Sequence, residues 1–187
     1  MAAVSSFPPI AAPDVCVLIL GSMPGERSLA AGRYYAHPAN AFWPIVAEFL
    51  GCGAEAPYAA RVRALRAGGL ALWDVLRSCE RTGSLDAAIV RQTMATNDFG
   101  RFFARHRRIA TVLCNGATAH DLFVRRVLPE LGARAARLAV VRLPSTSPAH
   151  AGMPPAQKRA VWLAALRDAG GFHDGRDVAR CAGHDPL

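Results

Sequence analysis

Short apolar runs alternate along the chain with stretches that repeat at helical spacing. The runs are bounded by Gly, Pro or charged residues, as strands are; they are Cys16–Leu20, Leu70–Leu76, Ala110–Cys114 and Leu138–Leu143. In the intervening and following segments, apolar residues recur at three- to four-residue spacing. This spacing predicts helices at Phe42–Leu50, Ala59–Arg66, Asp98–Arg107, Ala117–Val127 and Pro155–Ala169.

The alternation of strands and helices predicts an α/β fold, an open and mostly parallel sheet with helices on both faces. We expect one domain over residues 1–170 and a loosely ordered tail over 171–187, because that last stretch lacks periodicity. In such sheets, ligands bind beyond the carboxyl ends of the strands. The loops that follow the strands are therefore where a site is expected.

Composition favours a folded protein with a polyanionic partner. Hydrophobic residues make up 52% of the 187 residues. No apolar run approaches the roughly 20 residues of a membrane-spanning helix, and the N-terminus has no signal-peptide pattern, so we expect an intracellular protein without membrane contact. The formal net charge of +8 suggests nucleic acid. Because nearly all the basic residues are Arg, a GC-rich genome that inflates Arg content is the alternative.

The cysteines favour no metal site. They are odd in number and scattered, and none forms a C-x-x-C pair: Cys16, Cys52, Cys79, Cys114 and Cys181. Two of them, Cys16 and Cys114, lie inside apolar runs. Reduced, buried thiols are the expected state.

The loops after the predicted strands are rich in Gly, Pro and hydroxyl groups. Gly21–Gly25 suggests a phosphate loop but lacks the spacing of a Walker or a dinucleotide motif. A serine hydrolase is disfavoured because the chain has no G-x-S-x-G. Ser145, Thr146 and Ser147 offer groups suited to phosphate oxygens, although an ordinary turn before the last helix explains them equally well.

Several of these loops carry a family resemblance. The chain resembles the uracil-DNA glycosylase superfamily, and most closely its hypoxanthine-DNA glycosylase branch. The matching strings are Leu18–Gly25 (LILGSMPG), Tyr34–Trp43 (YYAHPANAFW), Ala71–Val75 (ALWDV), Arg81–Asp86 (RTGSLD), Cys114–Gly116 (CNG) and Leu143–Ala149 (LPSTSPA). Together they span about Phe7 to Leu166.

The resemblance implies a three-layer α/β/α sandwich around a four-stranded, mostly parallel sheet. It implies a monofunctional enzyme that rotates a damaged nucleotide out of double-stranded DNA and hydrolyses its N-glycosidic bond. No metal or organic cofactor is implied. We expect a monomer that acts in a bacterial cytoplasm at the nucleoid. The alternative is a protein that binds the flipped base with little or no cleavage.

The resemblance places the chemistry on the first loop. Asn40 is the expected catalytic residue, because an uncharged amide can orient water and donate to the base; a helix N-cap is the competing interpretation. Ser22 can contribute a hydroxyl or an N–H. Met23 stands where several sister branches carry Asp or Asn, so the duty of handling water is expected to have moved, which favours Asn40.

The flipped base is expected to meet residues at the strand ends. Tyr35 stacks on it, with a core aromatic as the alternative. Asp74 accepts from a base N–H, or else forms a salt bridge with Arg77 or Arg81. Asn115 reads or braces the base edge, or simply turns the chain before Gly116. The predicted base-binding set is completed by Gly21, Met23, Pro24 and Phe42.

The last loop is expected to hold DNA. Ser145, Thr146 and Ser147 grip phosphates, and the residues after Pro148 enter the minor groove. Leu143 stands where some branches carry a His, and His150 lies further along the loop, where it reaches DNA or remains a surface residue. The predicted phosphate contacts near this loop also include Arg142 and Lys158.

Overall fold

The residues that the structure describes form seven strands and six α-helices, besides short 3-10 and π-helical segments. The computed structural model describes residues 2–53 and 55–170, so the predicted tail lies outside the described residues. In chain order the elements are β1 (Ala2–Ser5), β2 (Val17–Gly21), α1 (Glu26–Ala31), α2 (Phe42–Phe49), α3 (Tyr58–Ala67), β3 (Leu70–Asp74), β4 (Leu76–Arg81), β5 (Ala95–Thr96), α4 (Phe99–Arg105), β6 (Thr111–Asn115), α5 (Ala117–Leu122), β7 (Ala139–Leu143) and α6 (Pro155–Asp168).

The central sheet has the order β3-β2-β6-β7, and all of its pairings are parallel. Every residue of β2 and β3 is buried, because helices cover both faces of the sheet. Helix α2 packs against α3 and α6, while α5 packs against β6 and β7. The predicted α/β class with a four-stranded parallel sheet is confirmed.

A second, antiparallel sheet of order β1-β4-β5 was not expected from the sequence. The predicted strand Leu70–Leu76 in fact ends at Asp74, and the chain enters β4 after Val75. The amides of Val75 and Leu76 donate to the carbonyl oxygens of Gly21 and Ser22 at 2.8 and 3.1 Å. These bonds hold the loop after β2 against the start of β4.

Two helical predictions are refined by the structure. The predicted helix Ala117–Val127 is α-helical only to Leu122 and continues as a π-helical turn over Phe123–Val127. The short helix α1 was not predicted. None of the helices in the described part of the chain combines the length and the apolar composition that a membrane crossing requires.

The parallel arrangement brings four strand ends to one rim. Gly21 pairs in register with Asp74, and Asn115 pairs with Leu143. Because all four strands run in the same direction, the loops that follow them share this edge of the sheet. The fold therefore places the polar loops of the sequence side by side.

Candidate active site

A cavity of about 550 Å³ lies at the carboxyl rim of the central sheet. This volume is within the roughly 300–1,000 Å³ of small-molecule sites. Its lining includes most of the predicted site residues: Gly21, Ser22, Met23, Pro24, Tyr35, Asn40, Asp74, Asn115, Ser145, Thr146, Ser147 and His150. Phe42, Arg142 and Lys158 lie outside the lining.

The floor of the cavity depends on a close approach between β2 and Asp74. A side chain at Gly21 would place its Cβ 2.4 Å from Oδ1 of Asp74 and 3.1 Å from the hydroxyl of Tyr35. Only glycine leaves room beside β2 for both the carboxyl group of Asp74 and the phenol of Tyr35. Gly21 therefore shapes the site through the side chain it lacks.

Asp74 is a buried carboxyl group, 3% exposed, at the end of β3. Ser6 donates from Oγ to its Oδ2 at 3.1 Å. Burial raises the pKa of Asp74 to about 7, a direction that the charge of Asp86 reinforces and that Ser6 and Arg81 oppose. Within the described residues it forms no ion pair with Arg81 or Arg77, so the salt-bridge alternative is not what the structure contains.

Tyr35 is held in an unusual conformation beside Asp74. Its φ of 52° is the left-handed region, which costs a non-glycine residue about 1–3 kcal/mol. One face of its ring stacks on Phe42, with centroids 4.0 Å apart and planes 23° apart. Phe42 itself is fully buried, so it supports Tyr35 from behind instead of lining the cavity. The predicted base contact at Phe42 is replaced by this supporting role.

The hydroxyl of Tyr35 is protonated and fixed in place. Burial and then the charge of Asp74 raise the pKa of Tyr35 above its usual range. Its oxygen accepts from Nδ2 of Asn115 at 3.0 Å. Its proton has no acceptor among the described residues, and it is therefore available to a ligand.

Asn115 ties the loops of the rim together. Besides Tyr35, its Nδ2 donates to Oγ1 of Thr146 at 2.8 Å, and its Oδ1 accepts from the amide of Thr146 at 2.8 Å. Thr146 is 1% exposed, and its carbonyl accepts from the amide of Ala41 at 3.0 Å. These bonds assign Asn115 a bracing role, and they occupy Thr146 as a link between loops and not as an exposed phosphate contact.

The oxygen and the NH₂ group of the Asn40 side chain differ in their contacts. Its Oδ1 accepts from the amide of Phe42, the first residue of α2, at 3.0 Å. Its Nδ2 has no hydrogen-bond partner within the described residues. The N-cap position of α2 is Ala41, so the oxygen of Asn40 supports the turn that enters the helix, while its NH₂ group remains available in a half-buried position on the cavity wall.

Sequence reasoning did not single out Asp86, although it lines the cavity. Oγ of Ser22 donates to Oδ1 of Asp86 at 2.7 Å, which fixes the hydroxyl that was expected to act in catalysis. The string Arg81–Asp86 was part of the family resemblance. The only feature of the sequence that could have pointed to Asp86 was a carboxylate in a turn that contains Gly and Ser.

The last loop consists of consecutive hydroxyl turns. Oγ of Ser145 accepts from the amide of Ser147 at 3.2 Å, and Oγ of Ser147 accepts from the amide of Ala149 at 3.3 Å. Both oxygens act as acceptors here, and neither hydroxyl donates a hydrogen bond to any of the described residues. His150 is exposed at the end of the loop.

The two predicted basic contacts differ in exposure. Arg142 is exposed on the edge strand β7. Lys158 is 6% exposed, and its Nζ donates to the carbonyl oxygen of His150 at 3.2 Å. The ammonium group therefore braces the last loop from beneath, and the predicted phosphate contact at Lys158 is corrected to that role.

Three cysteine thiols lie in the core. Cys16, Cys79 and Cys114 are buried, and burial raises the pKa of Cys114 to about 12. Within residues 2–53 and 55–170, no group of three or more His, Cys, Asp or Glu side chains is placed to hold a metal ion.

Comparison with known proteins identifies the family. The family model described as the uracil DNA glycosylase superfamily matches residues 8–168, which contain the whole cavity lining. The chain belongs to the uracil DNA glycosylase superfamily. It therefore has a DNA glycosylase role, with DNA as its substrate.

Similar proteins agree with this membership. A hypoxanthine DNA glycosylase of Methanosarcina barkeri is 33% identical over 111 residues, which are 59% of this chain and 69% of the relative. A protein of the same description from Methanosarcina acetivorans is 30% identical over 116 residues, 62% of this chain and 72% of that one. A solution NMR structure from Methanosarcina acetivorans, provisionally described as a uracil DNA glycosylase, superposes with a TM-score of 0.75 at 27% identity, covering 90% of this chain and 99% of that one.

Proposed function

We propose that this glycosylase excises deaminated bases, uracil or hypoxanthine or both, from double-stranded DNA and so initiates base excision repair. The observation that carries the proposal is the meeting of Tyr35, Asn40 and Asp74 in one cavity at the sheet rim. A base inside a duplex cannot reach such a cavity, so the nucleotide has to be rotated out of the stack. We further propose that the protein acts as a monomer.

The exposed face of Tyr35 is suited to a flipped base. Phe42 covers one face of its ring, and the left-handed backbone at Tyr35 fixes the orientation of the other. Stacking on an aromatic side chain contributes roughly 1–3 kcal/mol per base. The same contact accepts any base, so selection has to come from polar groups at the base edge.

Asp74 is proposed to supply the part of that selection that separates a deaminated base from its parent, cytosine or adenine. Uracil and hypoxanthine both carry a ring N–H next to a carbonyl group, which cytosine and adenine lack at the corresponding position. The ionised carboxylate of Asp74 accepts from this N–H. Adenine presents a ring nitrogen acceptor there, so a buried carboxylate would repel it.

Asn40 is proposed to act on the bond that breaks. The N-glycosidic bond breaks with its electron pair leaving on the base, and a positive, oxocarbenium-like sugar remains. Nδ2 of Asn40 donates to the developing negative charge or orients the water that attacks C1′, and that water loses one proton to solvent. Donors placed in advance toward such charge are among the largest contributions to catalysis.

Substitutions at Tyr35 separate stacking from hydrogen bonding. We expect Tyr35→Ala to weaken binding to a lesion duplex by about tenfold to a hundredfold, which is the loss of one stacked base. Tyr35→Phe keeps the ring and loses only the hydroxyl, so a loss of about tenfold or less is expected. Fluorescence anisotropy at fixed salt measures both. Equal weakening by the two variants would contradict the stacking role, provided that both melt cooperatively.

The proposed function is tested by a substrate panel. The purified protein is incubated with end-labelled DNA containing uracil, hypoxanthine or only normal bases, in single- and double-stranded form, and is then treated with alkali. We expect alkali-dependent breaks at the deaminated base in duplex DNA and none in the normal control. Salt-dependent binding without breaks at either lesion would refute excision and support the lesion-binding alternative.

A further inference from the structure

The positive charge of the chain is concentrated away from the candidate active site. Residues 99–137 carry eight arginines and two carboxylates, whereas the whole chain has 22 basic and 14 acidic residues. Among the described residues that line the cavity, Arg27 is the one arginine, and the carboxyl groups are those of Glu26, Asp74 and Asp86. The net charge of +8 is therefore not explained by the cavity and its surroundings.

Several of these arginines lie where β6 and β7 begin, at the edge of the sheet that we call the amino rim. The first residues of the two strands, Thr111 and Ala139, pair in register, so the segments that enter the strands lie side by side. One segment follows α4, and the other is the end of a 3-10 stretch, Leu128–Arg137. Four arginines of these segments form the amino-rim cluster: Arg107, Arg108, Arg134 and Arg137.

Arg134 is the fixed member of the amino-rim cluster. Its Nη2 donates to the carbonyl oxygen of Ile109, and its guanidinium carbon lies 5.7 Å from the centroid of the Phe103 ring. Burial, followed by the positive charges of Arg137 and Arg107, lowers the pKa of Arg134. The guanidinium groups are thus close enough to repel one another across the two segments.

No carboxylate neutralises this repulsion in the part of the chain that the structure describes. Arg107, Arg108 and Arg137 are exposed, and none of the four arginines forms an ion pair there. Asp121, one of the two carboxylates of residues 99–137, contacts His120 instead, at 3.1 Å. Uncompensated like charges destabilise a folded protein, so a cluster of this kind favours a partner of opposite charge.

The amino-rim cluster lies across the sheet from the cavity. Strands β6 and β7 have five residues each, and at about 3.3 Å per residue they separate the two rims by roughly 15 Å. DNA is stiff, with a persistence length of about 150 base pairs, so a short duplex seated at the cavity does not turn round the sheet to the amino rim. The cluster is therefore available to a second segment of nucleic acid.

We propose that the amino-rim cluster binds the phosphate backbone of a second DNA segment while the cavity holds the first. Double-stranded DNA carries about one negative charge per 1.7 Å of its axis, so several exposed guanidinium groups can be neutralised together. Contacts to phosphate carry no sequence information, and the cluster accepts undamaged DNA. The protein thereby bridges two duplexes, or two distant parts of one long molecule. This second surface is independent of which base is excised.

Energy transfer between two duplexes tests the bridging. A donor-labelled lesion duplex and an acceptor-labelled undamaged duplex, each about 15 base pairs long, are mixed with protein carrying Asn40→Ala. We expect energy transfer with this protein and the loss of most of it when Arg107→Gln and Arg108→Gln are added. Arg63→Gln with Arg91→Gln, two exposed arginines on α3 and after β4, removes the same charge and retains the transfer. No transfer, or transfer that the cluster variant leaves unchanged, would overturn the proposal.

Salt dependence and cleavage separate this surface from the proposed excision. For an undamaged duplex, the plot of log affinity against log salt becomes shallower by about 2 in the Arg107→Gln, Arg108→Gln variant, and by less than about half of that in the control pair. Its single-turnover cleavage of a short lesion duplex stays within about twofold of the parent. A parent that cleaves nothing but bridges duplexes through these arginines would refute the excision and retain the second surface. A salt slope that both pairs change equally would refute the surface, whatever the cleavage result.

Discussion

An Asn40→Ala variant is expected to fold and to cleave a lesion duplex on the order of 10²–10³ times more slowly than the parent. A loss of this size is typical for removing one preorganised donor from a site where charge develops. The expectation follows from the two ends of the Asn40 amide group: its oxygen accepts from the first amide of α2, while its NH₂ group lines the cavity without a partner in the described residues. Single-turnover cleavage measures the loss.

Asn40→Ser is the matched control for the hydrogen bond that the Asn40 oxygen accepts from the first amide of α2. Serine retains an oxygen that can accept from the amide of Phe42 and lacks the NH₂ group. We expect it to recover the roughly 1 kcal/mol of stability that alanine loses at a cap, and to remain as slow in cleavage as Asn40→Ala. Near-parental cleavage by the serine variant would show that Asn40 only supports the entry to α2.

The second large effect is expected at Asp74, and it depends on pH. Because the pKa of Asp74 is raised to about 7, the carboxylate that accepts a base N–H forms only as the pH rises through neutrality. Cleavage by the parent should therefore rise between about pH 6 and pH 8. Asp74→Ala should lower the rate at about pH 8 by about tenfold to a hundredfold, the loss of one hydrogen bond to a charged group.

The Asp74→Asn variant keeps the shape of the side chain and removes its titratable charge. Its amide oxygen can still accept from the base, so we expect activity with a flat profile over this range. An inflection near pH 7 that persists in Asp74→Asn would contradict the assignment to Asp74. A parental rate that falls as the pH rises would contradict the use of the carboxylate.

The raised pKa of Asp74 also predicts how the free energy of unfolding depends on pH. A carboxyl whose pKa is raised on folding binds more protons in the native state than in the unfolded state, so stability falls as the pH rises from about 4 to about 7. Asp74→Asn removes this dependence. We therefore expect the variant to gain in unfolding free energy over the parent at about pH 8 and to lose that gain at about pH 4, as measured by urea denaturation. A constant difference across this range would contradict the raised pKa.

The central sheet was predictable because its strands are buried on both faces. A strand such as β2 appears in the sequence as an uninterrupted apolar run, and the parallel direction of the four strands brings their polar ends together. For this reason Asp74 and Asn115, distant in sequence, could be assigned to one rim. The strings of the first and last loops then indicated the superfamily.

The second sheet and Asp86 were not predictable in the same way. In β4 the buried positions alternate irregularly with polar ones, and β1 and β5 are short, so neither carries a clear period. The return of the chain after β4 places Asp86 against Ser22 through a long-range hydrogen bond that no local pattern encodes.

The sequence also could not predict which individual side chains are buried beneath the site. Nothing in helical spacing shows that Phe42 lies behind Tyr35, or that the ammonium group of Lys158 bonds to a loop carbonyl from beneath. Both residues were expected to touch DNA or its base. Their roles depend on how α2 and α6 pack under the rim, which is a property of the tertiary fold.

The position of the lesion base in a complex tests the whole account most directly. A crystal structure of the Asn40→Ala variant with a duplex containing hypoxanthine would locate that base. We expect it outside the helix in the cavity at the carboxyl rim, with its ring on the exposed face of Tyr35 and its N–H toward Asp74. A base still stacked within the duplex, or a duplex bound to a face away from this cavity, would contradict the account.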